Sequence, residues 1–300
     1  MTKRLSILIT ALLLVSTAFT VLTEVHAADW PTWRGADRTD ISTEKGLLQS
    51  WPQGGPKQLW TFKNAGNGYS GFAIANGTLY TLGTRGGKEI LIALDAATGK
   101  DKGAVVIGDI LSNNWGNGPR GTPTVAGNVV YAMGGGGSLV AADAKTGVVK
   151  WKVNMSDFGG KKPGWGYCES VTVEGDQVIC TPGGSQGAMV ALRVKDGSKI
   201  WQSSGITDGA QYASILPIEH NGLRQYVQLT QRHVFGVDAK SGKVIWQSPW
   251  EGRTAVVPTP IHKDGHVYVS SGYGVGCKLV KLGNGSATEV YRNQVMKNHH

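Results

Sequence analysis

Short apolar runs, several of them alternating with polar residues, recur along the chain, and a two-residue turn precedes each one. Residues 79–82 follow Asn76-Gly77, and residues 129–133 follow Gly127-Asn128. Alternation with a period of two is typical of a β-strand with one buried face. Asn-Gly, Asp-Gly and Gly-Asn tolerate positive φ and favour tight hairpins. Because similar turns recur at 175–176, 221–222 and 264–265, the pattern predicts a series of antiparallel hairpins.

A second turn motif follows the hairpins at a regular distance. It begins at Asp95 and ends at Gly99 in the first unit, and the equivalent glycines at 147, 197 and 242 are spaced by 48, 50 and 45 residues. Asp and Thr side chains cap N–H groups in such a turn, and Gly supplies the left-handed position that closes it. Trp151, Trp201 and Trp246 follow the later three glycines. We place them on outer strands, where each ring buries area against the neighbouring sheet and its N–H bonds locally.

A period of 45–50 residues matches one four-stranded unit, and no stretch of helical periodicity separates the units. The sequence therefore predicts an all-β fold, a β-propeller of four-stranded blades over residues 59–300, with about five complete blades. The units lie at about 66–103, 118–151, 168–201, 212–246 and 256–291, after a lone outer strand at 59–62. The fifth has a degenerate turn at 283–285 and Tyr291 in the tryptophan position, and residues 292–300 resemble the start of a further unit.

The repeated unit, an Asp-x-x-Thr-Gly turn followed by Trp, resembles the pyrroloquinoline-quinone-type (PQQ-like) propeller repeat over about residues 59–291. The resemblance implies a ring of seven or eight blades, so we expect this chain to be an incomplete ring. It also implies one of two functions. Quinoprotein alcohol dehydrogenases bind PQQ and Ca²⁺ over the propeller axis, whereas outer-membrane assembly propellers only bind partners. The sequence is similar, too, to exported bacterial proteins labelled PQQ-repeat or polyvinyl-alcohol dehydrogenase-like.

The chain departs from both groups in its sequence. It has neither the adjacent Cys-Cys pair of the dehydrogenases nor a CxxCH haem segment, and their calcium ligands and catalytic Asp match no position here. It also lacks the lipid-accepting Cys of the assembly propellers. We therefore expect a binding or scaffolding module for a protein or polysaccharide partner, with no assured cofactor. The alternative is a PQQ-dependent alcohol dehydrogenase-like oxidoreductase with PQQ and Ca²⁺.

The N-terminus has the pattern of a secretory signal peptide. Lys3 and Arg4 precede a nearly continuous apolar run at 5–15, and Val25-His26-Ala27 presents small residues where a cleavage site needs them. We expect residues 1–27 to be removed after Ala27 and the protein to be periplasmic or secreted. An uncleaved membrane anchor is the alternative. Residues 28–58 are expected to form an extended segment, and no second apolar span of membrane length follows.

Composition excludes several classes of protein. With 40% hydrophobic and 17% charged residues the chain is not disordered, and three cysteines do not make a disulfide scaffold. The net charge of +9 would suit nucleic acid, but Lys161-Lys162 is the only adjacent basic pair after residue 27, so we expect no nucleic-acid partner. The turn at 175–176 sets Cys180 opposite about residues 170–171, which disfavours a disulfide with Cys168. Without a CxxC or a Cys/His cluster, no metal site is predicted.

Two loops ahead of inner strands, at 112–120 and 161–169, are the predicted site, because propeller function usually lies around the central channel. Trp115 and Trp165, each beside a glycine, are candidates for a stacking platform for a planar or sugar-like ligand. The alternative is that these rings pack between blades. The remaining candidate ligand-binding residues of the two loops are Asn113, Asn114, Arg120, Tyr167 and Glu169.

Glu169 is the only acidic residue at the start of an inner strand, and we consider it as a base or a cation ligand. A lone carboxylate is more often paired with Arg or solvated, so no catalytic residue is assigned on this pattern alone. Secondary candidates fall in the corresponding loops of later units, namely Gln211, Tyr212, Arg232 and Arg253.

Overall fold

The computed structural model describes residues 28–296 and 298, and within them five four-stranded antiparallel sheets account for all named strands. The predicted signal peptide at 1–27 lies outside the described residues. One short 3-10 helix, Met155–Phe158, is the only helix in this part of the chain. The all-β propeller fold with five four-stranded blades is therefore confirmed.

The strands of each blade follow chain order from the inner to the outer strand. Blade 1 consists of β1 Phe72–Ala75, β2 Thr78–Arg85, β3 Lys88–Asp95 and β4 Asp101–Asp109. Blade 2 consists of β5 Thr124–Ala126, β6 Val129–Met133, β7 Ser138–Asp143 and β8 Val149–Asn154.

The remaining three blades repeat this order. Blade 3 consists of β9 Thr172–Glu174, β10 Gln177–Cys180, β11 Val190–Arg193 and β12 Lys199–Gln202. Blade 4 consists of β13 Leu216–His220, β14 Leu223–Leu229, β15 His233–Asp238 and β16 Val244–Pro249. Blade 5 consists of β17 Ile261–Lys263, β18 His266–Ser271, β19 Gly276–Leu282 and β20 Ala287–Asn293.

The turn motifs adopt the conformations that their residues favour. Asn76 and Asn221 have φ values of 49° and 50° in the hairpins between inner strands. In the second turn, the Asp143 carboxylate accepts bonds from the Thr146 N–H and hydroxyl, both at 2.9 Å. These bonds lower the pKa of Asp143, because they stabilise its charged form. The turns that begin at Asp95, Asp143 and Asp238 thus satisfy their own backbone, as the repeated residues predict. In blade 3, where Arg193 stands in that position, Asp196 accepts from the Ser198 N–H at 2.9 Å instead.

The repeated tryptophans join neighbouring units. Each indole covers the turn glycine of the next blade and donates to a carbonyl oxygen there, not within its own unit. The three bonds run from Trp60 to Ala96 at 3.1 Å, from Trp151 to Val194 at 2.8 Å and from Trp201 to Ala239 at 3.2 Å. A Cβ atom at Gly99 or Gly197 would lie only 2.5 or 2.8 Å from the facing ring. Trp and Gly therefore recur together because each ring needs a neighbour without a side chain.

Trp246 breaks this pattern. Its Nε1 donates to Gln225 of its own blade at 2.8 Å, and its ring lies over Gly236, where a Cβ would be 2.5 Å away. The turn it would otherwise cover is the degenerate one at 283–285 of blade 5. Gly285 of this turn has φ +75°, and only the Ile245 carbonyl oxygen, at 3.9 Å, lies near its added Cβ, so no indole covers it.

The predicted outer strand at 59–62 is not a strand in the structure. This segment has no strand partner among the described residues, so it remains without regular secondary structure. Trp60 and Phe62 pack against Ile90, Ile92 and Leu94 of blade 1. At the other end, β20 continues to Asn293, so blade 5 ends later than the predicted unit. The predicted further unit at 292–300 lies partly outside the described residues and stays a prediction.

The hydrophobic core lies between adjacent blades. Tyr131 and Leu139 of blade 2 pack with Val178 and Val190 of blade 3, and equivalent clusters join the other neighbouring pairs. One face of a four-stranded sheet cannot be buried within the sheet itself, so each blade depends on its neighbours for stability.

Residues 28–38 run across the inner strands at one end of the central channel. Trp30 and Ile74 of β1 exchange backbone bonds at 2.8 Å, and the Val125 N–H of β5 donates to the Pro31 carbonyl at 2.8 Å. Trp33 donates from its indole to Thr259, next to blade 5, at 3.4 Å. Part of the predicted extended segment thus ties blades together.

Arg38 ends this crossing. Its guanidinium is buried and donates to the carbonyls of Ser170 at 3.0 Å, Val171 at 2.6 Å and Ile215 at 3.0 Å. Burial lowers the pKa of Arg38 to about 10. Since these acceptors belong to blades 3 and 4, one side chain joins the N-terminal segment to both.

Candidate functional site

The segments that lead into the five inner strands surround a cavity on the channel axis. Alternate residues of an extended segment face the same side, so two residues from each blade face this space. The outer set is Tyr69, Arg120, Cys168, Tyr212 and Val257. The inner set is Gly71, Thr122, Ser170, Ser214 and Thr259. Together with Trp33 they line a cavity of about 150 Å³.

Buried hydroxyl groups hold the wall of the cavity together. The Thr122 N–H donates to the Ser170 hydroxyl at 3.0 Å, and the Ser170 N–H donates to the Ser214 hydroxyl at 3.1 Å. Both serines act as acceptors from the backbone of the neighbouring segment. Their own O–H groups are therefore free to donate to a group in the cavity.

Arg120 is the charged residue of the cavity. Its guanidinium lies over the Tyr69 ring, 4.8 Å from the centroid, and Nη2 donates to the Gly116 carbonyl at 2.6 Å. Its Nε–H is buried and has no hydrogen-bond partner in the part of the chain that the structure describes. Among residues 28–296 and 298, no carboxylate lies within ion-pair distance of Arg120. The cavity therefore has a positive charge with no counterpart in the described chain.

Aromatic side chains surround the opening. Trp115 is 75% exposed and Tyr69 is 60% exposed, and the Tyr69 hydroxyl donates to the Trp115 carbonyl at 3.0 Å. Trp165 is half-buried and packs edge-on against Tyr212, with 5.7 Å between ring centroids. The Asn113 amide donates to the Gly164 carbonyl at 2.8 Å, so the two predicted loops meet here. We call this surface, formed by 67–71, 112–120 and 161–166 around the cavity, the channel mouth.

The two predicted tryptophans lie at the same mouth, but the structure records no ring contact between them in the part of the chain it describes. The Trp165 ring packs against Tyr212, whereas the Trp115 ring faces solvent. Asn113 organises its own loop by accepting from the Trp115 N–H at 2.9 Å, and Asn114 is exposed.

Tyr167 and Glu169 lie behind the wall. The buried Tyr167 hydroxyl donates to the Pro182 carbonyl at 3.0 Å. The Glu169 carboxylate, 2% exposed, accepts from the Thr181 N–H at 2.7 Å and from the Thr181 hydroxyl at 3.1 Å. Burial raises the pKa of Glu169 to about 8. Because Cys168 and Ser170 line the cavity, the side chain between them faces the other way.

Of the secondary candidates, one lines the cavity and the other three do not. Tyr212 lines the cavity, while the Gln211 amide oxygen accepts from the Val256 N–H at 3.3 Å. Arg232 pairs with the buried carboxylate of Asp208 at 2.9 Å, and Arg253 is exposed.

Sequence reasoning missed Tyr69, Cys168 and Trp33. Aligning the units on Arg120 would have found the first two, since Tyr69, Arg120 and Cys168 each stand seven residues before the first hairpin turn of their units. Trp33 lies outside the repeats, so no periodic signal marks it. All three cysteines are free, and burial raises the pKa of Cys168 to about 12, which keeps that thiol neutral.

The cavity residues do not fit PQQ with Ca²⁺. Calcium takes six to eight oxygen ligands, usually including carboxylates, yet no Asp or Glu of the described chain lines this cavity. No group of three His, Cys, Asp or Glu side chains within the described ranges could hold a metal ion. At about 150 Å³ the space is also smaller than the roughly 300–1,000 Å³ of pockets that bury drug-sized ligands.

In the described part of the chain, no helix is long and apolar enough to cross a membrane. A comparison with curated proteins returned no match. Among solved structures, BamB from Moraxella catarrhalis aligns with a TM-score of 0.51 and 17% identity, over 77% of this chain and 64% of that one. The quinohemoprotein alcohol dehydrogenase from Comamonas testosteroni aligns with a TM-score of 0.59 and 13% identity, over 89% and 49% of the two chains.

A europium-containing methanol dehydrogenase aligns with a TM-score of 0.50 and 15% identity, over 73% of this chain and 55% of that one. The chain thus spans about half to two thirds of the length of these structures, and identities this low establish the fold alone. The family model described as outer membrane protein assembly factor BamB matches residues 44–156 and 106–298. Since these matches together span most of the sequence, the chain belongs to this family of PQQ-like repeat β-propellers.

Proposed function

We propose that the chain is an exported binding module that holds a partner protein at the channel mouth. The observation that carries the proposal is the exposed Trp115 and Tyr69 beside Arg120, which has no ion-pair partner in the described chain. Aromatic residues and Arg are enriched at the centres of protein interfaces and carry much of their binding energy. The family description, an assembly factor, supports a protein partner.

Export is part of the proposal. It rests on the signal-peptide pattern of residues 1–27. Cell fractionation and N-terminal sequencing test it, because a mature chain that begins at Ala28 in the periplasm or medium is expected. Retention of Met1 in the cytosol would contradict it.

The matched pair Trp115→Ala and Trp51→Ala tests the binding surface. Both side chains are exposed, at 75% and 71%, but only Trp115 lies at the mouth. Partners cross-linked to the purified protein in envelope extract would be identified, and their affinities for both variants measured. We expect Trp115→Ala to weaken binding at least tenfold and Trp51→Ala to leave it within twofold. Equal affinities for the two variants would contradict the proposal.

The partner's chemistry is tested in the same experiment. Loss of binding after protease treatment of the extract supports a protein partner, whereas survival of binding after protease, with loss after glycosidase, indicates the polysaccharide alternative. PQQ-dependent alcohol oxidation is the other alternative, although the residues of the cavity do not favour it. Saturable PQQ binding in the presence of Ca²⁺, with dye-linked turnover of an alcohol, would replace the binding proposal.

A further inference from the structure

The axial cavity contains more hydrogen-bond donors than its wall uses. Arg120 leaves a buried Nε–H without a partner among the described residues, and the hydroxyls of Ser170 and Ser214 serve only as acceptors in their recorded bonds. The Tyr212 oxygen likewise accepts from the Trp165 N–H at 3.3 Å, so its O–H is available. A buried donor without a partner is costly, and three hydroxyls around the same space have an O–H that their recorded bonds do not use, which together indicate a missing acceptor.

No acid of the described chain supplies that acceptor. The Glu169 carboxylate turns away to Thr181, and the Glu89 carboxylate accepts from the N–H groups of Leu111 at 3.0 Å and Gly135 at 2.8 Å. Burial raises the pKa of Glu89, and the charge of Arg120 lowers it, but the two side chains form no ion pair. The positive charge at the cavity is therefore not neutralised by direct contact.

We infer that this cavity binds a carboxylate group, with Arg120 as its cation and the hydroxyls of Ser170, Ser214 and Tyr212 as further donors. The planar guanidinium matches a carboxylate in shape, and the hydroxyls satisfy its remaining lone pairs. The volume of about 150 Å³ suits an Asp or Glu side chain or a small free carboxylate. If the source is an acidic side chain of a protein, the inference deepens the proposed function and rests on it; for a free carboxylate it stands alone.

Binding of N-acetylglutamate N-methylamide, compared with its glutamine counterpart, tests the inference on the wild-type protein. The two probes have nearly the same shape and differ in charge. Calorimetry and tryptophan fluorescence report binding, since Trp33 lines the cavity. We expect saturable binding of the glutamate probe, at least tenfold weaker binding of the glutamine probe, and competition by acetate. Equal binding of the two probes, or none of either, would overturn the inference.

Arg120→Gln should abolish binding of the glutamate probe, and Arg120→Lys should weaken it, because lysine keeps the charge and loses the planar fork. Circular dichroism and thermal unfolding show whether each variant is folded. If Arg120→Gln does not fold, the Arg120→Lys variant and the comparison of the two probes still test whether the cavity binds a carboxylate. Undiminished binding by a folded Arg120→Gln protein would refute the role of this residue.

Two further arms separate the source of the carboxylate. An acidic peptide that binds much more tightly than acetate points to a protein side chain, whereas acetate or succinate at equal affinity points to a free carboxylate; either supports the site. Failure of the proposed function is distinguishable. In that case the effect of Trp115→Ala on the partner is absent, while Arg120-dependent binding of the glutamate probe persists.

Discussion

Gly197→Ala should weaken the junction between blades 2 and 3. Gly197 has φ +73°, and an added Cβ would lie 2.8 Å from the Trp151 ring. The left-handed backbone costs a residue with a side chain about 1–2 kcal/mol. Overpacking adds about 1–3 kcal/mol, because Trp151 is buried against Tyr131 and is held by its bond to Val194. The expected loss is therefore about 2–5 kcal/mol in the free energy of unfolding.

Gly222→Ala is the matched control. Gly222 has φ +71° in a hairpin turn, and nothing lies within 4 Å of its added Cβ. The free energy of unfolding of this variant should fall only by the cost of the left-handed backbone, about 1–2 kcal/mol. Urea unfolding followed by circular dichroism measures both losses. At roughly 2–4 °C per kcal/mol, the two melting temperatures should differ by about 2–12 °C.

A double variant identifies the cause. In a Trp151→Ala background the steric part should vanish, so Gly197→Ala should then cost no more than Gly222→Ala. If Gly197→Ala and Gly222→Ala destabilise the wild-type protein equally, the indole does not constrain the turn, and the account of the Trp–Gly repeat given above is refuted.

Three further predictions concern buried groups. Burial raises the pKa of Glu169 to about 8, above its unfolded value, so its ionisation opposes folding. Wild-type melting temperature should consequently fall between pH 5 and 8 relative to Glu169→Gln, and parallel pH profiles would contradict this. Arg38→Ala should lower the free energy of unfolding by about 2–5 kcal/mol, because three buried carbonyls lose a charged donor. Limited proteolysis should then cut this variant within residues 28–60. Arg253→Ala is the control, since Arg253 is exposed. The partly buried Cys168 should react with a thiol reagent at pH 8 far more slowly than after unfolding, since burial raises its pKa to about 12; equal rates would contradict this effect on the thiol.

The repeats made the blades predictable because each turn carries its own chemistry. Asp143, Thr146 and Gly147 specify one turn wherever they occur together, so hairpins and outer strands follow from local sequence. Trp246 shows the limit of such reasoning, since it holds the repeated position after Gly242 and yet its indole bonds to Gln225 of its own blade.

The site was only partly predictable for a related reason. Arg120 and Trp165 stand in loops whose composition is unusual, and both lie at the channel mouth. Glu169 was a candidate because it is acidic. Neighbouring side chains of an extended segment face opposite sides, however, and since Cys168 and Ser170 line the cavity, Glu169 faces away from it. Arg38 carried no signal at all, because its partners are backbone carbonyls, which no side-chain pattern reveals.

The departure of Trp246 has a consequence for how the molecule comes apart. In a linear array, each unit is held by its own stability and by its coupling to the next, so cooperativity ends where a coupling is weak. The indole bridge joins blade 2 to blade 3 and blade 3 to blade 4. Blades 1 and 2 are joined instead by the Tyr80 hydroxyl, which donates to the Ala144 carbonyl at 2.8 Å, and the junction of blades 4 and 5 has no indole bridge. Blade 5 should therefore open as a separate foldon, with amides in β18 and β19 exchanging faster than those in β10 and β11. Uniform exchange across all blades would show that the other contacts of blade 5, among them the Lys278 bond to the Pro249 carbonyl at 3.0 Å, couple it equally well.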